Sequence, residues 1–402
     1  MTDRLNARAR AEEIAKEPHA KLGRPRALAA GARQPERRWF AMGDPQSSFD
    51  RFAAVLERHG LLGDDGMLRE DVGLLSIGDH FDYGSGDDVE VVGREGLLIL
   101  RWLAEHAPEQ VVILTGNHDL ARVQELAMES DASFASARVL ASEIKKRVDD
   151  GVDSSAQIAE FAERFPALPT PELVRRDYSS FSETQRALVQ ALLLGRRLRL
   201  GCAATTAEGA PLLLTHAGVT KRDLENLGIA DARQPWGIAC ALNDALIEHA
   251  MRVEELWKKG ERAPLRLEPL HAMGTSKREG GGLCYHRPAH PGREGANVAW
   301  EFDEEAPRRF DPRELPLGLV QACGHSGHGK LCKELAEWVD AEAHARTHGG
   351  LRTLTSDGSR VRYSLLVQAP QDGAATMYFI DGEIDRVEST DYELLPLGSV
   401  VT

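Results

Sequence analysis

Three short apolar runs in this chain each end in a glycine followed by a polar residue. The runs are Trp39–Met42, Val72–Ile77 and Val111–Leu114, and they are followed by GDPQ, GDHFD and TGNHD. Stretches with helical spacing of apolar residues, 49–59 and 89–106, lie between them, and this alternation is typical of βαβ units in an α/β fold. Because ligands bind beyond the carboxyl ends of the strands in open α/β sheets, we expect the polar residues to lie together.

The same pattern continues in the second half of the chain, where the run 212–214 ends in THAG and the run 317–323 ends in GHSGH. The polar residues at these strand ends are Asp44, Asp79, Asn117, His118, His216, His325 and His328. Either aspartate alone could be the N-cap of a following helix. Carboxylates, an amide and imidazoles together are instead the ligands of divalent Mn, Fe or Zn, rather than of Ca or of a thiolate site.

The ordered blocks GD, GDxxD, GNHD, HAG and GH resemble those of the calcineurin-like metallophosphoesterases. Within that superfamily they are most similar to the phosphoprotein phosphatases and the symmetrical diadenosine tetraphosphate hydrolases. The similarity covers roughly residues 38–402, with little of it in 121–200 and 230–310, and MYFIDGEI resembles the last core strand of the family. The resemblance implies an α/β fold in which a two-sheet β-sandwich is flanked by helices, with two divalent metal ions at the strand ends.

The resemblance assigns a metal-binding role to the matching residues. Asp44 would bind the first ion, and Asp79 would bridge both ions because a carboxylate has two oxygens to share. The ligands that complete the second site would be Asn117, His216 and His325. Two such ions can generate a hydroxide at neutral pH and neutralise a phosphoryl group during in-line attack.

The catalytic roles implied by the resemblance belong to a histidine and an aspartate. His118 would donate a proton to the leaving oxygen, and Asp82 would hold its imidazole in orientation. His80, which lies between them in GDHFD, is interpreted as the variable position of that motif.

The first block departs from the family pattern, which has Asp-x-His where this chain has Asp44-Pro45-Gln46. Gln46 could offer an amide oxygen to the first ion, although a neutral oxygen is a weaker ligand than imidazole. His328 is the alternative, because related enzymes with a GHxH block place the second histidine on the first ion. The spacing here, GHSGH, is one residue longer, so both possibilities stay open.

The second departure concerns phosphate binding. Phosphoprotein phosphatases have an arginine where this chain has Tyr83. Arg122, just after GNHD, and Arg287, in GGGLCYHRP, are candidate substitutes because a guanidinium can donate two parallel hydrogen bonds to phosphate. The alternative is that both arginines are ordinary surface residues.

Composition restricts the class of protein. The formal net charge of −14 argues against a general nucleic-acid binder. Five cysteines, an odd number without a CxxC pair, indicate reduced thiols rather than disulfides or a zinc ribbon. The N-terminal residues have no apolar segment typical of a secretory signal, and no apolar run is long enough for a membrane helix. We therefore expect a cytoplasmic protein without membrane association, and the sequence leaves its oligomeric state open.

The domain organisation follows the same patterns. Residues 1–37 are rich in Arg and Ala, with little apolar periodicity, and predict a flexible or partly helical tail, with a docking arm as the alternative. Residues 38–402 would form one metallophosphoesterase domain, in which about 121–200 is a helical cap inserted beside the metal site.

The function expected from this reading is metal-dependent phosphoester hydrolysis. A phosphomonoester is the leading substrate class, either a phosphoprotein or a nucleotide, hydrolysed by a metal-activated hydroxide. A phosphodiesterase of the same superfamily is the alternative among enzymes, since Tyr83 replaces the phosphate-binding arginine. A metal-binding scaffold without turnover is the alternative from another class, although the His118–Asp82 pair has no evident use in it.

Overall fold

The structure of the chain is a computed structural model that describes residues 2–17, 36–84, 88–275, 279–292 and 306–401. Its helices alternate with the strands as far as the third strand, and several helices then follow one another before the fourth strand. In chain order the α-helices are α1 (Thr2–Ile14), α2 (Phe49–Arg58), α3 (Val89–Glu105), α4 (Asn117–Ala121), α5 (Asp131–Asp149), α6 (Ser155–Arg164), α7 (Pro171–Arg176), α8 (Glu183–Leu194), α9 (Lys221–Asn226), α10 (Pro235–Lys258), α11 (His328–Leu335) and α12 (Ala341–Ala345).

The strands are short, and most of them are buried on both faces. They are β1 (Arg38–Met42), β2 (Val72–Ser76), β3 (Val111–Leu114), β4 (Leu198–Arg199), β5 (Gly201–Thr206), β6 (Pro211–Thr215), β7 (His271–Ala272), β8 (Gly281–Gly282), β9 (Arg287–Pro288), β10 (Arg309–Phe310), β11 (Val320–Cys323), β12 (Arg352–Ser356), β13 (Val361–Leu365), β14 (Ala375–Phe379) and β15 (Leu395–Val401).

Eleven of these strands form one mixed sheet in the order β13-β12-β14-β11-β6-β5-β15-β1-β2-β3-β4. One half contains the parallel strands β1, β2, β3 and β4, and the other half contains the parallel strands β6, β11 and β14. The antiparallel strands β5 and β15 connect the two halves. The chain is therefore an α/β protein with a large mixed sheet, which confirms the coarser part of the predicted fold class.

Helices cover the sheet through apolar faces with helical spacing. In α2, Phe49, Phe52 and Leu56 are fully buried, and the side chain of Ser48 caps the helix by accepting a hydrogen bond from the Arg51 amide. Together with side chains of α1, α3, α8 and α10 they form the largest apolar cluster of the described residues. The cluster fixes the helices at the sheet and so fixes the loops at the strand ends.

The described part of the N-terminal segment is helical and packs against the core. Residues 2–14 form α1, in which Ala7, Ala11 and Ile14 are buried against the core. The Arg8 guanidinium binds both carboxylate oxygens of the buried Glu95, at 2.7 and 2.9 Å. The low apolar content did not indicate this packing, because alanines on one face are enough for close contact. The remainder of the predicted tail, 18–35, lies outside the described residues.

Residues 121–200 are largely helical, as their periodicity predicts, and they form two separate packing units. Helices α5, α6 and α7 surround their own apolar cluster, which includes Phe134, Phe161 and Tyr178. Helix α8 packs into the main core through Leu188 and Leu192. None of the helices in the described residues combines the length and the apolar content needed to cross a membrane.

Candidate metal centre

The polar residues predicted from the strand ends come from both halves of the sheet. Asp44, Asp79 and Asn117 follow the parallel strands β1, β2 and β3. His216 directly follows β6, and His325 follows β11, the parallel neighbour of β6. The Gly324 amide donates to the His216 carbonyl at 2.8 Å, so the last two loops are joined by a main-chain hydrogen bond.

Two glycines of the predicted motifs are required by close approach to the carboxylates. A Cβ atom on Gly116 would overlap with Asp79 Oδ1, and one on Gly324 would overlap with Asp44 Oδ1. Asp44 is further held by the His325 amide, which donates to its carboxylate at 2.9 Å. The glycines of GNHD and GH therefore make room for the carboxylates of other strands.

Three side chains place potential metal ligands within 4.8 Å of one another: Asp79, His216 and His325. His216 Nε2 lies 3.4 Å from Asp79 Oδ2 and 3.2 Å from Asn117 Oδ1. All of these residues are at least nine-tenths buried. These are the residues predicted for the second metal site, and the group that they form could hold a metal ion.

The hydrogen bonds of His216 determine which of its atoms faces this site. Its Nδ1 lies 3.0 Å from the Ile77 carbonyl, which can only accept, so Nδ1 carries a proton. Its Nε2 is directed at two oxygens, Asn117 Oδ1 and Asp79 Oδ2. His325 Nε2 is buried and has no hydrogen-bond partner among the described residues. A bound cation would satisfy all of these acceptors at once, so the residues fit a metal ion.

Negative charge is concentrated around this point. Burial, and then the charges of Asp381 and Asp79, raise the pKa of Asp44 well above its ordinary value. Burial lowers the pKa of His216, but the Asp79 carboxylate outweighs it and the net shift is upward. No lysine or arginine of the described residues pairs with Asp44 or Asp79, whose ion-pair partners are the imidazoles of His118 and His216, and such carboxylates can bind a cation.

His118 and Asp82 form the predicted catalytic pair. His118 Nδ1 lies 3.0 Å from Asp82 Oδ2, and the His118 amide donates to Asp79 Oδ1 at 2.9 Å. Asp82 also accepts from the amide and the hydroxyl of Ser180, at 3.1 and 2.6 Å. Burial would raise the pKa of Asp82, but the charge of Arg122 and the contact with His118 hold it far below its usual range. Asp82 is therefore ionised and fixed in position.

Three non-glycine residues of the centre adopt the left-handed backbone region: Asp79 at φ 55°, Asp82 at φ 63° and His325 at φ 63°. Such conformations are uncommon for these side chains and cluster at functional sites.

Arg122 is not a substrate-binding residue in this structure, which corrects the sequence interpretation. It is fully buried, and its guanidinium donates to Asp82 at 2.6 Å, to the His118 carbonyl at 2.9 Å and to Gln185 at 3.1 Å. Its Nη2 also lies 3.3 Å from Ser180 Oγ. With these contacts made, Arg122 holds Asp82 in place rather than facing a phosphate.

Arg287 lies beside the centre, so its predicted role in substrate binding stays open. Burial, and then the charge of Arg287, lower the pKa of His325. The Arg287 Nε atom is buried and has no hydrogen-bond partner within the described ranges. Burial and the nearby Arg308 lower the pKa of Arg287 to about 10, as expected when cations crowd together.

His328 does not reach the candidate metal centre, so the structure excludes it as the alternative ligand of the first ion. Its ring is fully buried at the start of α11, with Nδ1 3.1 Å from the Tyr363 hydroxyl and Nε2 3.0 Å from the Gly350 carbonyl. Both nitrogens are thus engaged in the core. Gln46 is half-buried, and its amide nitrogen donates to the Phe81 carbonyl at 2.8 Å, so the residue stays near the second loop.

The sequence analysis missed two buried residues that order the loops. Asp119 accepts hydrogen bonds from the amides of Asp79, His80 and Gly116, at 2.9, 3.0 and 2.9 Å. His80 is buried, and its ring lies 3.0 Å from Asp119 and 2.9 Å from the Ser76 hydroxyl. The variable position of GDHFD therefore has a structural role here, which no pattern in the sequence indicates.

Two tyrosines to which the sequence analysis gave no role also lie at the centre, Tyr178 from the helical segment and Tyr285 from the GGGLCYHRP segment. The hydroxyls of Tyr178 and Tyr285 lie 2.5 Å apart, and both rings are buried. Tyr178 contacts the His118 ring edge-on at 5.8 Å between centroids, and Tyr285 contacts His325 in the same way at 6.0 Å. The tyrosine pair therefore lines one side of the centre, where the helical segment 121–200 meets the glycine-rich segment 280–288.

Comparison with known proteins adds no assignment: family models, curated proteins and solved structures give no significant match to this chain.

Proposed function

We propose that this chain is a dinuclear metal-dependent phosphoester hydrolase that acts on phosphomonoesters. The observation that carries the proposal is the convergence of Asp79, Asn117, His216 and His325, in which the buried Nε2 atom of His325 has no hydrogen-bond partner among the described residues. Bound divalent ions would supply a nucleophilic hydroxide at neutral pH and would neutralise the phosphoryl charge. Mn, Fe and Zn all suit the mixed carboxylate, amide and imidazole donors of the second site.

The His118–Asp82 pair supports turnover rather than binding alone. Burial lowers the pKa of His118, but Asp79 and Asp82 together raise it to about 9, and the hydrogen bond to Asp82 favours the protonated ring. A protonated imidazole can donate to a leaving alkoxide. Asp82 is itself fixed by Arg122 and Ser180, so the ring is held in one orientation.

The apolar contacts of the sheet support the two-sheet sandwich of the metallophosphoesterase fold. One apolar cluster consists of strand residues and their immediate neighbours only, with Leu75 and Leu114 from one half of the sheet and Leu214 and Tyr378 from the other. A sheet buries a face without helices when its two halves pack against each other. The metal centre would then lie where the carboxyl ends of both halves meet.

The substrate would bring a phosphoryl group to the centre and its leaving group to the side of His118. Arg287 is the candidate that would hold the phosphoryl oxygens, because its Nε atom is buried and free of partners within the described residues. A phosphoprotein and a nucleotide, including a dinucleoside polyphosphate, are the substrate classes we propose, with the cytoplasm as the compartment.

The test is hydrolysis of p-nitrophenyl phosphate by metal-stripped protein titrated with Mn²⁺. We expect metal-dependent release of p-nitrophenol, reduced by about 10²–10⁴-fold in His118→Ala because the general acid is gone. His344→Ala is the matched control, since His344 is an exposed imidazole of α12. Mn²⁺ binding should be kept in both variants. Absence of release at every metal concentration would contradict the phosphomonoesterase.

A phosphodiesterase is the second candidate, and the position of Arg122 favours it. Arg122 is paired with Asp82, and Tyr83 occupies the position where the related phosphatases have an arginine. Fewer cations therefore face the second negative charge of a monoester. Bis(p-nitrophenyl) phosphate in the same titration separates the two enzymes. Mn²⁺ binding without hydrolysis of either ester would indicate the metal-binding scaffold.

A further inference from the structure

A sixth strand end reaches the edge of the sheet where the metal centre lies. Strand β14 is parallel to β11, and Phe379 pairs with Cys323 at the ends of the two strands. Beyond the strands the Ile380 amide still donates to the Cys323 carbonyl, at 2.9 Å. The next residue, Asp381, therefore enters the same edge as His325, and only 7% of its surface is exposed.

The loop that carries Asp381 touches the loop that carries Asp44. A Cβ atom on Gly43, the residue before Asp44, would overlap with the Ile380 carbonyl and would lie 2.8 Å from the Asp381 Cα atom. The two main chains are thus in direct contact. The Asp381 side chain accepts a hydrogen bond from the Glu383 amide at 3.0 Å, which fixes its direction after the strand.

Three buried carboxylates therefore enter the same edge of the sheet: Asp44, Asp79 and Asp381. Within the described residues, no lysine or arginine forms an ion pair with any of them, and the imidazoles of His118 and His216 pair only with Asp44 and Asp79. Buried like charges are costly unless a cation or a proton neutralises them. A metal ion at the first site would supply the cation that neutralises them.

We propose that Asp381 belongs to the first metal site, where it supplies the negative charge that Gln46 and His328 do not, and that this site selects Mg²⁺ or Mn²⁺. The inference rests on the dinuclear centre proposed above and extends it to the identity of one ion. With Asp44, Asp79 and Asp381 around it, and the Gln46 amide as the remaining predicted donor, the first site contains oxygen donors alone. Such donors suit Mg²⁺ and Mn²⁺, whereas imidazoles suit Zn²⁺ and Fe²⁺ at the second site.

Asp381 does not belong to the group of residues that forms the second site. Among the described residues, the group with ligand atoms within 4.8 Å of one another consists of Asp79, His216 and His325, and Asp381 is outside it. Removal of a side chain next to the metal ligands lowers the metal affinity by about 10–100-fold.

The experiment measures metal binding directly, so it does not depend on turnover. Metal-free protein is titrated with Mn²⁺ by calorimetry, and the bound metal is counted by elemental analysis, in wild type and in Asp381→Asn. We expect two ions per wild-type chain, and in the variant one site unchanged and the other about 10–100-fold weaker. Excess Mg²⁺ should displace one of the two Mn²⁺ ions from the wild type.

Two further variants make the result specific. Asp391→Asn removes an exposed carboxylate from the same C-terminal region and should bind both ions as the wild type does. Asp381→Glu keeps the charge and should recover most of the affinity that Asp381→Asn loses. Circular dichroism of each variant verifies that the fold is kept.

Each remaining outcome has a definite meaning. Two unchanged sites in Asp381→Asn, or equal weakening of both sites, would overturn the role of Asp381 and leave the proposed hydrolase in place. A wild-type chain that binds no Mn²⁺ would overturn both proposals. Displacement of both ions by Mg²⁺ would overturn the assignment of an oxygen-only first site.

Discussion

At the scale of single residues, the candidate centre depends on side chains whose orientation is fixed by hydrogen bonds to neighbouring main-chain and side-chain groups. The Ile77 carbonyl fixes the His216 ring so that Nε2 faces Asn117 and Asp79, and the His325 amide fixes Asp44. Asp82 is held in the same way by Arg122 and Ser180. Ligands whose positions are set in advance lose less entropy when an ion binds, which favours tight and selective binding.

Arg122 shows why residue type alone did not reveal a role. The sequence places an arginine just after GNHD, and guanidinium groups suit phosphate. In the structure the same group neutralises the buried Asp82 and lies over the Phe81 ring at 4.6 Å. A buried carboxylate needs such a partner, and this need outweighed exposure to substrate.

The glycine of the GH block should be indispensable for the first metal site. In Gly324→Ala the new Cβ atom would overlap with Asp44 Oδ1 and would lie 2.7 Å from Ile77 Cγ2, so Asp44 must move. We expect Mn²⁺ affinity at one site to fall by about tenfold or more, equivalent to about 1.4 kcal/mol. Calorimetric titration of the metal-free variant measures this.

Gly237→Ala is the matched control, because Gly237 lies in α10 with open space around its Cα atom. It should leave metal binding unchanged and stabilise the helix by up to about 1 kcal/mol in urea unfolding. Wild-type affinity in Gly324→Ala would show that the close approach to Asp44 is not required.

At the scale of elements, the strand ends explain why a few short motifs determine one site. Parallel strands point their carboxyl ends in the same direction, so residues more than 300 positions apart, such as Asp44 and Asp381, enter one edge. Strand β15 lies between the two halves of the sheet, and the sequence analysis did not predict it. Its Pro396 and Gly398 are typical of turns rather than of a strand inside a sheet.

Helix α1 shows how an element of low apolar content can still be part of the fold. Its alanines allow a close approach to α2 and α3, and the Arg8–Glu95 contact directs it. The Glu95 carboxylate also accepts from the Phe49 amide at 2.8 Å, so the same side chain joins α1 to the start of α2.

We expect the docking of α1 to contribute measurably to stability. Ala11→Asp would place a carboxylate at a fully buried position and should lower the free energy of unfolding by more than about 2 kcal/mol. Leu5→Asp introduces the same group on the same helix at a side chain that is 59% exposed, and should change it by about 0.5 kcal/mol or less. Equal urea midpoints for the two variants would indicate that α1 is not docked in solution.

At the scale of the whole molecule, the helical segment 121–200 meets the segments that contain Gly274 and Tyr285 beside the candidate metal centre. Glu125, which follows α4, accepts a hydrogen bond from the Gly274 amide at 2.7 Å, and its Oε1 atom lies 3.5 Å from the Tyr285 hydroxyl. The second oxygen of Glu125 is buried without a hydrogen-bond partner in the described residues. Burial raises the pKa of Glu125 to about 7.

This raised pKa predicts a pH-dependent stability. The folded state keeps the Glu125 proton up to about pH 7, whereas the unfolded chain releases it near the ordinary value of 4.5. The contribution of Glu125 to stability is therefore complete below pH 4.5 and is lost as the pH rises through 7. Glu125→Gln, which is always neutral, should raise Tm above the wild type at pH 8 and leave it nearly unchanged at pH 5.

Thermal unfolding of both proteins across this range measures the difference. Glu143→Gln, at an exposed position of α5, is the control and should follow the wild type at every pH. A difference in Tm between Glu125→Gln and wild type that does not vary with pH would contradict the raised pKa.

The sequence by itself determined the α/β class and the positions of the main motifs. Apolar runs that end in Gly plus a polar residue are local patterns, and they correctly placed Asp79, Asn117, His216 and His325 at one edge. The periodicity of 121–200 likewise predicted helices, because helix formation depends on residues three and four positions apart.

Only the tertiary structure decided which side chains reach the centre and which support it. His328 lies three residues after His325, yet its ring is held in the core by Tyr363 and the Gly350 carbonyl. Arg122 is directed inward by Asp82, and Asp381 is brought in by a strand far away in sequence. The physical reason is that burial, charge compensation and strand register depend on distant partners, which local spacing does not contain.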